Sequence, residues 1–139
     1  MSVYVIGTDG SDTAAKAAER TGELAHATGA SIHVVCAFTG RGATTVGVGS
    51  DVFTISEIGE AEQIAEQQAA AYRSAGITAT ASVSEGKAST AILQEAERVE
   101  ADLIVVGNRR MQGVQRVLGA VANDVVHHAP CDVLVVKTV

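Results

Sequence analysis

Tryptophan is absent from the 139-residue chain, and aromatic residues reach only 3%, in Tyr4, Phe38, Phe53 and Tyr72. The core must therefore be aliphatic, and platforms on which nucleobases could stack are scarce. The two cysteines, Cys36 and Cys131, are too few for a disulfide framework. Both stand in apolar or strand-flanking sequence and read as reduced core filler. No apolar run reaches the ~18 to 20 residues of a membrane-spanning helix, and the N-terminus lacks the basic-then-apolar order of a signal peptide. A soluble, cytoplasmic protein is expected. Ten basic residues against sixteen acidic ones give a net charge of −6. That balance speaks against nucleic acid or an anionic membrane as partner, though not against a local basic pocket. The histidines His26, His33, His127 and His128 show no metal-ligand spacing, since adjacent residues on a helix point about 100° apart. No metal site is expected.

The composition is uniform and 47% hydrophobic, which fits a single domain over residues 1–139. Val3 to Ile6 is a short apolar run ending in Gly7-Thr8-Asp9-Gly10-Ser11, the pattern of a buried strand followed by a tight turn. A helix follows from Asp12, with Ala14, Ala17, Ala18, Thr21, Leu24 and Ala25 at three-to-four spacing until Gly29. Ile32 to Ala37 reads as a second buried strand whose one polar exception is His33. Residues 39–56, with Gly40, Gly42, Gly47 and Gly49, read as a long lid-like loop. Thr54 or Ser56 would then cap a helix running to about Ser74. Ile77 to Val83 alternates weakly, as suits an edge strand. A helix from Ser89 to Glu100, a central strand from Leu103 to Val106 and a Gly- and Arg-rich stretch come next. A last helix would place Val114, Val117, Leu118, Val121, Val125 and Val126 on one face. Pro130 ends it, and Val133 to Val136 forms the fifth strand.

Alternating strands and helices with right-handed crossovers predict an α/β fold: a doubly wound, five-stranded parallel sheet of order 3-2-1-4-5, with helices on both faces. Ligands of such sheets bind beyond the carboxyl ends of the strands where the winding reverses, here between strands 1 and 4. The loops Gly7 to Ser11 and Gly107 to Gly119 should meet there. In the second loop, glycines allow close backbone approach, a helix N-terminus adds partial positive charge, and Arg109, Arg110 and Arg116 add full charges. That combination suits a phosphate; the alternative is a turn glycine, a packing glycine and solvated arginines. Asp9 would accept hydrogen bonds from an amino group or ribose hydroxyl, or cap the next helix together with Ser11. Gly86-Lys87 fails as a phosphate loop, because Ala81 and Ala88 stand where glycine and a hydroxyl are required. A phospho-accepting receiver fits poorly, with Asp9 and Asp12 separated by Gly-Ser. No nucleophile–base set assembles, so no catalytic residue is assigned.

The segments Val5-Ile-Gly-Thr-Asp9-Gly-Ser11 and Ala101-Asp-Leu-Ile-Val-Val-Gly107-Asn-Arg109, with the block His128-Ala-Pro-Cys-Asp-Val-Leu-Val-Val136, resemble the universal stress protein family over essentially the whole chain. The resemblance implies the α/β fold above and a dimer paired through strand 5. It also implies membership of either an ATP-binding class or a class that binds no ATP. The binding class carries Gly-x2-Gly-x9-Gly-[Ser/Thr], whose glycines and hydroxyl hold the phosphates. Here Gly107 matches the first glycine, Arg110 replaces the second, and Gly119 matches the third. Gly113 is a further glycine common in these loops. The stretch from Gly113 to Gly119 is one residue short, and Ala120 replaces the hydroxyl residue. Asp9 matches a residue that contacts adenine or ribose, and Cys36 a position whose backbone lies near adenine. Asn108 and Arg109 complete the candidate binding set.

Two readings follow. In the first, a cytoplasmic homodimer binds ATP, ADP or AMP, with Mg²⁺, in a stress response and hydrolyses it slowly at most. In the second, a dimeric interaction module of the same fold binds no nucleotide. The apolar run Val133 to Val136 supports the dimer independently, because a monomer would leave it as an exposed edge. An enzyme on the same scaffold is a third alternative and lacks a recognisable nucleophile or base.

Overall fold

The computed structural model describes residues 2–10, 12–38, 49–108 and 118–138. Among these residues, five strands, β1 (Val3–Gly7), β2 (Ser31–Phe38), β3 (Ala79–Glu85), β4 (Leu103–Asn108) and β5 (Asp132–Lys137), alternate with four helices, α1 (Asp12–Thr28), α2 (Gly49–Ser74), α3 (Ala88–Arg98) and α4 (Ala120–His128). The strands form one sheet of order β3-β2-β1-β4-β5, and every neighbouring pair is parallel. The predicted single-domain, doubly wound architecture is therefore the observed one.

Alternation along the central strands divides the core between the two faces of the sheet. Tyr4, Ile6, Ile32, Val34 and Cys36 pack with Ala17, Ala18 and Ala25 of α1 and with Ala61, Ala65, Ala69 and Tyr72 of α2. Val5, Val35, Ile104 and Val106 pack with Ala91, Ile92 and Ala96 of α3 and with Ala122 and Val125 of α4. Alanine dominates the inward helix faces, which brings the helix axes close to the sheet, while β-branched residues supply the sheet side. Burying each such valine or isoleucine contributes about 1.5–3 kcal/mol.

Several boundaries differ from the sequence reading. Helix α2 starts at Gly49 rather than at a cap on Thr54 or Ser56. Val52, Ile55 and Ile58 stand three apart, so the helical period continues into the segment read as loop; residues 39–48 lie outside the described residues. Strand β3 lies two residues later than read, because the Ile77 N–H closes the end of α2 on the Tyr72 carbonyl at 3.0 Å. The ladder begins where the Ile32 N–H meets the Thr78 carbonyl at 2.9 Å. Strand β4 runs two residues further, so Gly107 and Asn108 are strand residues paired with Val136 and Lys137. The last helix begins only at Ala120, and Leu118 and Gly119 are not helical. Its inward stripe is Ala122, Val125 and then Ala129, which leaves Val121 and Val126 exposed at 38% and 42%. Val114 and Val117 lie outside the described residues. No helix among those described is long and apolar enough to cross a membrane.

Candidate functional site

A cavity of about 310 Å³ opens at the carboxyl ends of β1 and β4, where the winding of the sheet reverses. Gly7, Thr8 and Asp9 form one lip, and Gly107 and Asn108 with the head of α4, Gly119 to Ala122, form the other. Val35 and Ala37 of β2, Val106 of β4, and Ala88, Ala91 and Ile92 of α3 supply an apolar floor and wall. The described parts of the two loops singled out from the sequence, Gly7 to Asp9 and Gly107, Asn108 and Gly119, thus line one cavity. Its walls are small and aliphatic, with polar atoms at the rim, which suits a flat heterocycle carrying a polar tail.

The first lip is anchored by backbone bonds. The Thr8 N–H donates to the Val35 carbonyl at 2.9 Å, and the Thr8 hydroxyl accepts the Gly10 N–H at 3.2 Å. Asp9 is exposed at the rim. Gly7 lies close under α3: a Cβ there would stand 2.5 Å from Ile92 Cδ1 and 2.9 Å from Cγ1, so any larger residue requires the Ile92 side chain to shift. The expected cap of α1 by Asp9 with Ser11 falls partly outside the described residues, since Ser11 is not among them.

At the second lip, Asn108 is 3% exposed, and its Oδ1 accepts the Gly119 N–H at 2.8 Å. This bond ties the end of β4 to the residue that precedes α4. Gly119 is the N-cap of α4, with extended backbone and no side-chain cap. The first intrahelical bond runs from the Asn123 N–H to the Gly119 carbonyl at 2.9 Å. The N–H groups of Ala120, Val121 and Ala122 therefore precede the helical ladder, and the partial positive end of the helix lies in the cavity lining. Ala120 presents a methyl group where the family pattern has a hydroxyl. On the far side, the Ser89 hydroxyl donates to Asp124 Oδ2 at 3.1 Å and fastens the start of α3 to α4.

Of the residues proposed from sequence, Asp9, Gly107, Asn108, Gly119 and Ala120 line the cavity. Arg109, Arg110, Gly113 and Arg116 lie outside the described residues. Cys36 sits beside the cavity rather than in its lining: its neighbours Val35 and Ala37 face the space, while its own side chain packs on the opposite face of the sheet. Burial pushes the Cys36 thiol above its ordinary pKa, and the Asp9 and Glu60 carboxylates push it the same way. Such a thiol is a poor nucleophile.

One polar cluster was not visible in the sequence. His33 is 4% exposed; its Nδ1 meets the Thr80 hydroxyl at 2.6 Å, and its Nε2 meets Glu95 Oε1 at 2.9 Å and the Ser82 hydroxyl at 3.0 Å. Arg98 Nη2 donates to the same Glu95 oxygen at 2.7 Å. The Arg98 guanidinium, and then His33 and Ser82, overcome the effect of burial and hold the Glu95 carboxyl at about 2. An ionised carboxylate only accepts, so Nε2 carries the proton. The sequence signal was slight: a histidine within an apolar strand, and an acid three residues before an arginine on a helix. Among the described residues, no three His, Cys, Asp or Glu side chains stand where they could share a metal ion.

The sequence profile described as the universal stress protein family matches residues 3–137. The protein called universal stress protein A homolog 2, from Coxiella burnetii, is 44% identical over 52 residues, which are 37% of this chain and 36% of that protein. The matched stretch thus spans little more than a third of that relative. A crystal structure of a universal stress protein in complex with cAMP is 29% identical, covers 99% of this chain and 98% of its own, and superposes with a TM-score of 0.76. The universal stress protein UspA from Lactobacillus plantarum, 22% identical, covers 97% of each chain at a TM-score of 0.78, a likeness of fold.

Proposed function

The chain belongs to the universal stress protein family, and from that premise we propose that its cavity binds an adenine nucleotide, ATP or a shorter relative, as part of a cytoplasmic stress response. The observation that carries this reading is the joining of Gly7–Asp9 to Gly107, Asn108 and the head of α4 around one apolar slot. The adenine would lie against Val35, Ala37 and Ile92, Asp9 would take the ribose hydroxyls or the amino group, and the phosphates would lie toward α4. The structural relative crystallised with cAMP supports the same class of ligand. Mg²⁺ would accompany a triphosphate. Among the described residues that line the cavity none is placed as nucleophile or general base, and in this reading turnover is slow at most.

We further propose a homodimer through β5. This strand is a sheet edge, its Val133, Leu134, Val135 and Val136 are each partly exposed, and Val121 and Val126 add exposed apolar surface on α4. Unpaired edges of this kind favour association.

A second reading, an interaction module of the same fold without nucleotide, is favoured by Ala120, whose methyl stands at the mouth of the phosphate end. Calorimetric titration of ATP, ADP, AMP and cyclic AMP with Mg²⁺ separates the two. Micromolar binding in wild type that is lost in Asp9→Ala supports the nucleotide site. Absence of heat in wild type, with binding gained in Arg110→Gly, supports the module with a closed pocket.

A further inference from the structure

We propose that Thr80 is an acyl-acceptor site, a nucleophilic hydroxyl served by His33 as general base, at which the chain takes up the acyl group of a small activated ester. The site is separate from the cavity, since neither residue, nor Ser82, Glu95 or Arg98 beside them, belongs to the cavity lining. His33 is the polar exception in an apolar strand, 4% exposed, and its two ring nitrogens face different partners. Nδ1 meets Thr80 Oγ1 at 2.6 Å, whereas Nε2 meets Glu95 Oε1 at 2.9 Å. The Glu95 carboxyl, held at about 2, is ionised and only accepts, so the Nε2 hydrogen points to it. The neutral ring then keeps its lone pair at Nδ1, and the Thr80 hydroxyl donates to that nitrogen. Hydroxyl, imidazole and carboxylate thus stand in the order required of a nucleophile, its base and the group that orients the base.

Burial and exposure are divided as that chemistry needs. Thr80 is exposed on β3, an outermost strand of the described sheet, so a solute reaches Oγ1 while the base behind it is shielded. Glu95 is a positioning residue: its Oε1 accepts from the Ser82 hydroxyl at 3.0 Å and from Arg98 Nη2 at 2.7 Å, which fixes the oxygen that orients the ring. The strand supplies a donor for the developing oxyanion as well. The Ile32 N–H meets the Thr78 carbonyl, and Ile32 stands opposite Ala79. Parallel alternation therefore turns the Thr80 and Ser82 N–H groups toward β2 and the Ala81 N–H outward, away from the described strands. That outward N–H, one residue past the nucleophile, is the backbone donor offered to an acyl oxygen. In the reaction Oγ1 forms a bond to the acyl carbon, and the bond from that carbon to the leaving oxygen breaks with its electron pair. The hydroxyl proton passes to His33 Nδ1 and from there to the leaving oxygen or to water.

The test incubates the full chain with p-nitrophenyl acetate and follows acetylation peptide by peptide in a mass spectrometer, with the exposed hydroxyls of Thr78 and Thr90 as internal references. Acetyl-Thr80 is expected to form about tenfold or more faster than the adduct at either reference, and hydroxylamine should remove it as an ester. In His33→Gln and in Glu95→Gln the rate at Thr80 is expected to fall about tenfold or more, while Thr78 and Thr90 stay as in wild type. A thermal unfolding curve for each variant confirms that it is folded. Equal labelling of Thr80, Thr78 and Thr90 in wild type overturns the proposal. So does an unchanged rate at Thr80 in folded His33→Gln, which would make the cluster a structural clasp only. Should neither variant fold, the wild-type ratio of Thr80 to the two reference hydroxyls decides alone.

Discussion

Among single residues, the smallest ones set how closely the chain approaches itself around the cavity. Gly7 leaves a slot that Ile92 fills, and Gly119 lets Asn108 reach the head of α4. Gly7→Ala should therefore force Ile92 from its place in a core where it is only 5% exposed, costing about 1–3 kcal/mol as overpacking. Thermal unfolding would register this as a Tm several degrees lower, and Ile92→Val, by removing Cδ1, should restore part of the loss in the double variant. A Gly7→Ala protein as stable as wild type would show that α3 has room to move. At this scale the sequence was informative about identity and poor about contact. Gly107, Gly119 and Asn108 stood out as a set, yet nothing in their spacing indicated that the Asn108 side chain spans to the Gly119 amide. Cys36 shows the same limit: its place on β2 was correct, but the period of two turned its side chain away from the cavity.

Whole elements are fastened by polar contacts that cross between them. The cluster of His33 on β2, Thr80 and Ser82 on β3, and Glu95 and Arg98 on α3 pins the helix that forms one cavity wall to the edge of the sheet. Glu95 is held at about 2, below its usual 4.5, chiefly by Arg98 and with help from His33 and Ser82. A carboxylate depressed in the folded state contributes stability that is full above its unfolded value and is lost as pH falls through the folded one. The contribution should accordingly fade between about pH 4.5 and pH 2. Urea midpoints measured across pH 2 to 7 should fall more steeply over that window in wild type than in Glu95→Gln, and parallel curves would show that the cluster adds nothing. Element boundaries were the least legible feature of the sequence. Val52 and Ile55 extend α2 backward into a segment that the surrounding glycines and hydroxyl residues disguised. Val121 and Val126 look inward by hydrophobicity alone, but α4 turns Ala122 and Val125 to the core instead.

At the scale of the whole molecule, the two outermost strands of the described sheet differ in character. Strand β3 is edged with threonine, serine and alanine, whereas β5 reads Asp-Val-Leu-Val-Val-Lys. The apolar edge is where a second copy should add, so Leu134→Lys, which places a charge on it, should convert a dimer to a folded monomer in sedimentation. A dimer unaffected by that change would place the interface elsewhere. The sequence by itself determined the strand and helix order, and with it the sheet order and the place where the winding reverses, because hydrophobic period and right-handed crossover leave few alternatives. It also determined the family, through motifs at both ends of the chain. Only the tertiary structure decided which face each valine serves, where α2 and α4 begin, and that Asn108 meets Gly119 and His33 meets Glu95. Those contacts join residues 11 and 62 positions apart. They depend on helix rotation and the closeness of packing, for which local period carries no information.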